Sequence, residues 1–273
     1  MSVARKSNRT GEGGAGVVVR RLRRLSLIAI LFLAWQGVSG YVLPAVAPYA
    51  VTLLPAPTAV LVAFGDLLRS GEIIAHVLQS LKRVLAAFTV AGLFGVCLGL
   101  AMGWWRLFGQ LVDPVLEFLR PIPPMAWIPL GILWFGIGDT QNMFIIFLGA
   151  LFPIVLNTIA GVQGVDRTLV WGALTLGGTR RQILWEIILP GALPLILTGL
   201  RIGLGVGWMA LVAAELVAAT SGLGYLIEDS RNLLFTERVL LGMVLIGLLG
   251  LLMDQLMRAA QRTLTPWWIE LRR

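Results

Sequence analysis

The sequence predicts an all-α membrane protein with about six transmembrane helices. Of its 273 residues, 58% are hydrophobic and 13% charged, against about 25% charged in a soluble domain. Mean hydropathy is +0.86. Uncharged apolar runs recur at 25–43, 84–105, 121–138 and 140–165, and a spanning helix needs about 20 such residues. A fifth run, 187–214, is interrupted only by Arg201, and a sixth covers 239–253.

Taken in order, residues 1–20 read as a disordered cytoplasmic N-terminus rich in Gly, Ser and Arg. Residues 21–80 hold the first transmembrane helix, 25–43, and an outer amphipathic segment over 54–68 entered through Pro55 and Pro57. The first run is longer than a signal-peptide core of 7–15 residues, so it is expected to stay as an anchor. The core, 81–258, carries spans at 83–104, 112–136, 142–162, 191–217 and 238–258, and 259–273 form a cytoplasmic tail.

Charge orients the chain. Arg5, Lys6, Arg9, Arg20, Arg21, Arg23 and Arg24 precede the first span, opposed by Glu12 alone, and Arg258, Arg262, Arg272 and Arg273 follow the last. Basic residues flanking spans mark the cytoplasmic side, so both termini are expected inside, as six spans require. The basic start reads as this topology signal and not as a nucleic-acid site.

Several chemistries are excluded. One cysteine, Cys97, permits no internal disulfide, and one histidine, His76, permits no His-rich metal cluster. The two lysines, Lys6 and Lys82, sit in no G-x-x-x-x-G-K motif, so the chain has no P-loop. A membrane enzyme would need a catalytic cluster, and the acids are scattered.

The largest inner loop is 163–190. Residues 166–176 suit a short helix, Gly177 and Gly178 break it, and Thr179 is an N-cap for a second over Arg180 to Glu186. Pro190 is expected to end that helix and turn the chain into the fifth span. The result is a surface bracket that either docks a partner or packs on its own bundle.

Polar residues inside spans face a cavity or a bundle interior. Arg201 and Glu215 are fourteen residues apart and share one helix face, about 21 Å apart. Arg201 serves either an anionic solute or a structural ion pair with Asp113 or Glu117; Glu215, at the outer end, suits a gate or latch. Pro121, Pro123, Pro124 and Pro129 break the third span, which is tolerated where backbone lines a cavity or is buried in protein. Trp127 and Trp134 wall a pathway or pack helices. Gly92, Gly95, Gly99, Gly103, Gly199, Gly203 and Gly207, spaced by three or four, allow close helix approach within the bundle or at a dimer seam.

The run Trp171-Gly172-Ala173, Gly177, Ile187-Ile188-Leu189-Pro190 resembles the cytoplasmic "EAA" loop of bacterial ABC importer permeases: Glu-Ala-Ala, three residues, Gly, nine residues, Ile-x-Leu-Pro. Ala173 matches the second alanine, and spacing from Gly177 onward matches in full. Gly172 and Trp171 depart from the first alanine and the glutamate. The stretches 120–138, 188–208, 211–227 and LTPW at 264–267 resemble the nitrate/sulfonate/taurine permeases, most nearly the taurine members. The resemblance implies the ABC importer type I permease fold in a bacterial inner membrane. It also implies a second permease copy, two cytoplasmic ATPase subunits carrying ATP and Mg, and a periplasmic solute-binding protein. This chain would itself bind no cofactor and catalyse nothing. Residues 166–190 would couple to the ATPase through Trp171, Ala173, Gly177, Arg180, Arg181, Glu186, Ile187, Leu189 and Pro190. Arg180 and Arg181 would meet acidic groups there or anionic membrane lipid, and Trp171 a groove or the interfacial belt. The expected solute is taurine or another alkanesulfonate, with nitrate or aromatic sulfonates as alternatives. An ion-coupled secondary carrier is the competing class.

Overall fold

The computed structural model describes Ser26 and residues 29–46 and 53–267. The expected tail at 1–20 and the last six residues lie outside the described residues. Among those described, five helices are long and apolar enough to cross a membrane: α1 (Ala29–Val46), α3 (Glu72–Trp104), α6 (Asp139–Gln163), α8 (Arg180–Ala218) and α10 (Thr236–Leu264).

Helix α6 is the centre, held between α3 and α8. A Cβ on Gly95, Gly99 or Gly103 would lie within 3 Å of Ile154, Thr158 or Val162 respectively. The constant offset of 59 residues shows that α3 and α6 run parallel. Helix α8 lies antiparallel on the other side, with Gly203 against Ala150 and Ile154 and Gly199 against Asn157. Small residues let backbones approach and gain van der Waals contact, the main attraction available in lipid. Apart from Gly92, which faces Leu200 of α8, both glycine ladders are therefore spent inside the chain on α6.

Parallel α3 and α6 force the chain between them to travel back the length of the bundle. It does so in pieces: α4 (Arg106–Leu119), a 3-10 turn (Pro124–Trp127) and α5 (Ile128–Phe135). The third crossing is thus not a single helix over 112–136. It starts earlier, at Arg106, and breaks at 120–123, where prolines remove backbone donors. Arg106, Gln110, Asp113 and Glu117 lie at alternating spacings of four and three, so they form one polar face of α4.

The outer amphipathic segment is α2 (Pro57–Arg69), with Pro57 at its start. Val60, Ala63 and Leu67 are buried against Ile73, Leu226 and Leu241. Helix α1 is tied to it by Gln36, whose side-chain oxygen accepts from the Thr58 amide at 3.3 Å. Two short helices complete the described chain: α7 (Arg167–Thr175) at the end of the bundle expected to face inward and α9 (Leu223–Asn232) at the end expected to face outward.

Candidate functional site: an inner platform and an outer polar layer

The inner platform is built by local capping chemistry. The Asp166 carboxylate caps α7, accepting from the Thr168 amide at 2.8 Å, a bond that holds its pKa below the ordinary carboxylate value. The helix stops because Gly177 takes φ +83°, a conformation costing an L-residue roughly 1–2 kcal/mol, and because the Gly178 amide returns to Ala173 O at 2.9 Å. Thr179 then forms a capping box with Gln182.

Pro190 does not end the second helix. Arg180–Ala218 is one continuous helix of 39 residues. A π-helical turn over Ile183–Ile188 precedes the proline, with the Leu189 amide bonding back to Leu184 O. The wider turn changes the hydrogen-bond register. Pro190 then enters as the second residue of the α-helical stretch, where a missing N–H is tolerated.

Ile183 and Ile188 are buried against Val162, Ala192 and Ile196, which fixes the platform to the inner end of α6. Its other face is open. Trp171 is 66% exposed and Leu176 90%; Arg180, Arg181 and Glu186 are exposed as well. Ala173 and Ile187 line a groove of about 200 Å³ between the two helices, together with Leu176, Gln182 and Glu186. Beside the platform, the polar face of α4 lines a larger cavity of about 730 Å³ with Gln163 and Arg167.

At the other end sits a polar layer whose central member, Arg83, the sequence did not reveal. Arg83 is 2% exposed. Its Nη1 donates to Glu215 Oε1 at 2.7 Å and Ser221 O at 2.6 Å. Its Nε and Nη2 donate to Asp139 Oδ1 at 2.8 and 2.6 Å. Ser80 Oγ donates to Glu215 and accepts from the Leu223 amide, each at 2.9 Å. The Gly224 amide reaches Glu215 Oε2 at 2.9 Å, and the Gly222 amide reaches His76 Nδ1 at 3.0 Å. Gly222 has φ +113°, and a Cβ there would fall 2.3 Å from Glu215 Oε1. The layer joins α3, α6, α8 and the 219–222 turn.

Arg201 and Glu215 are not brought together. Arg201 Nε donates to Asp254 Oδ1 of α10 at 2.5 Å, so its ion-pair partner is neither Asp113 nor Glu117. Arg258 closes on the other oxygen of Asp254. Trp127 ends the 3-10 turn and packs with Ile128, Ile145 and Ala214. Trp134 is 55% exposed, with its ring edge-on to Phe144 at 5.9 Å.

A multi-span helical bundle with an exposed, partly apolar two-helix platform at one end has the architecture of a multi-pass membrane component. The match to known proteins agrees. Residues 93–266 match the family described as binding-protein-dependent transport system inner membrane component, and the chain belongs to that family. The taurine transport system permease protein TauC of Escherichia coli is 47% identical over 192 residues, 70% of each chain. The putative aliphatic sulfonates transport permease SsuC of Bacillus subtilis is 35% identical over 246 residues, 90% of this chain and 87% of that one. The nitrate import permease NrtB of a Synechocystis strain is 33% identical over 70% of each chain. Among solved structures, the MetNI methionine ABC transporter matches at TM-score 0.57 and 22% identity over 67% of this chain and 94% of that one. An amino acid ABC transporter solved with histidines matches at 0.60 and 19%, over 74% and 96%. At such identities these two establish the fold alone, and it is the ABC importer permease fold.

Proposed function

We propose that this chain is the membrane-spanning subunit of an ATP-driven importer for taurine or a related alkanesulfonate. The observation that carries the solute is the 47% identity to a taurine permease, above the 33% to a nitrate permease. The working complex contains two copies of the chain, two cytoplasmic ATPase subunits that hold ATP and Mg, and a periplasmic solute-binding protein. The chain binds no cofactor of its own, and both termini lie in the cytoplasm.

In this reading the platform docks in the ATPase. Trp171 and Leu176 supply apolar area, and Arg180 and Arg181 meet acidic groups. Ala173, Gly177, Glu186, Ile187, Leu189 and Pro190 shape the groove and the start of α8. Closure of the two ATPases on ATP moves both platforms, and α8 carries that motion into the bundle. Glu215 acts as the outer latch, Trp127 and Trp134 as an aromatic wall that suits an ammonium group, and Arg201 as a charge that an anionic head shares with Asp254.

The test is uptake into proteoliposomes containing the chain, its ATPase and its binding protein. Taurine or alkanesulfonate uptake that depends on ATP and on the binding protein supports the reading. Nitrate uptake with none of taurine overturns the solute, and uptake without the ATPase overturns the class.

A further inference from the structure

Gln141 and Asn142, in the first turn of α6, are both 0% exposed. Neither the nitrogen nor the oxygen of either side-chain amide finds a hydrogen-bond partner among the described residues. A buried polar group left unsatisfied costs about 1–3 kcal/mol, so two adjacent amides are a standing cost that core packing alone does not explain. Each unsatisfied buried group of this kind calls for an explanation, a bound ligand among them.

Part of the cover over Gln141 is a short helix, α5. Gly131 of α5 lies over Gln141: a Cβ there would be 3.2 Å from Gln141 Cγ and 3.7 Å from its Nε2. Helix α5 has eight residues and, with the 3-10 turn that leads into it, is set between non-helical joints at 120–123 and 136–138. Its outer face is open, with Leu133 79% exposed. The α3–α6 register puts residue 142 level with Arg83, so the amides belong to the outer polar layer. That layer holds two carboxylates, Asp139 and Glu215, and one guanidinium.

We propose that Gln141 and Asn142 coordinate the transported solute once α5 moves aside, and that the site takes a small zwitterion in preference to a simple anion. This rests on the importer reading above. Amide N–H groups donate to the oxyanion of a sulfonate, while amide carbonyls accept from an ammonium, which also meets the excess of carboxylate nearby. A bare anion gains only the first half. The amides carry no charge, so the solute is held weakly enough to leave, as transport requires.

The test uses the whole complex with its ATPase and binding protein. Gln141→Met and Asn142→Leu, singly and together, replace each amide by an apolar side chain of similar length. The apparent melting temperature is expected to stay or rise, since unsatisfied groups leave the core. The KM for taurine uptake is expected to rise about 10-fold or more, the loss of one good hydrogen bond. A KM within twofold of wild type in the double variant overturns the proposal, whatever its melting temperature. Should the double variant fail to assemble, Gln141→Asn withdraws the amide by one methylene and reads the same way through KM. A wild-type complex that carries nitrate and no taurine overturns the zwitterion assignment together with the solute reading; normal wild-type taurine uptake with unaltered variants overturns this site alone.

Discussion

Arg83 and Glu215, 132 residues apart in sequence, meet at 2.7 Å with both side chains at 2% exposure or less. Removing one member of such a pair strands the other charge. Arg83→Met leaves Glu215 and Asp139 without their counter-ion and is expected to cost about 3–5 kcal/mol. Apparent melting of the purified chain reads this. The Arg83→Met/Glu215→Met double variant should melt above Arg83→Met alone. Wild-type melting of the single variant would show that the pair contributes nothing.

Close packing of α3 on α6 makes a second expectation. Gly99→Val would place its Cβ 2.6 Å from the Thr158 Cβ and 2.9 Å from Val155 O, and overpacking costs about 1–3 kcal/mol. Gly247→Ala, in α10 with nothing within 4 Å, is the control and should be neutral or slightly stabilising. Equal melting of the two variants would refute the seam.

Platform variants separate shape from charge. Gly177→Val forces a β-branched residue to φ +83° and should lower the ATPase recovered with the chain. Asp166→Ala should do so more mildly, and Asp166→Asn, an equally good cap, should not. Because the Asp166 pKa is depressed in the fold, its contribution is present above the ordinary carboxylate pKa. It is lost as pH falls through the lower, folded value. A pull-down across acidic pH checks the sign: wild type weakens toward low pH, and Asp166→Asn lacks that component. A Gly177→Val chain that retains full ATPase and uptake would remove the docking role.

The Arg201–Asp254 pair can be tested by exchange. Arg201→Asp/Asp254→Arg should restore part of the assembly lost in Arg201→Asp, since the pair is remade with its poles reversed while Arg258 loses its carboxylate partner. Uptake should stay low, because the cation has moved to α10. Full uptake in the exchanged chain, or in Arg201→Gln, would confine Arg201 to structure.

How much was legible depended on the range of the interaction. The platform turn was readable because Asp166, Gly177 and Thr179 act on neighbours within four residues. Pro190 was misread: a proline in a helical stretch ordinarily breaks it, and the π turn that accommodates it is a hydrogen-bond register with no residue signature of its own. Arg83 escaped notice because it stands beside Lys82 at the edge of an apolar run and so resembles the end of a span. Only Asp139 and Glu215, far along the chain, reveal that α3 extends outward to Glu72. The partner of Arg201 was missed for a related reason. Asp113 lines the inner cavity with Gln163 and Arg167, and the acid that meets Arg201 is Asp254, on the last helix. The orphan amides of Gln141 and Asn142 had no signal at all, since an amide at the head of a helix ordinarily reads as a surface residue.

The unbroken length of α8 has a mechanical consequence. At 1.5 Å per residue its 39 residues reach about 58 Å, nearly twice the roughly 30 Å of a bilayer's hydrocarbon core. A tilt of only ~10° about one end sweeps the other through about 10 Å on that geometry. If the platform is where an ATPase docks, as proposed above, small angular strokes there would be geared into solute-sized displacements at the far end of α8, through the π turn between Ile183 and Ile188.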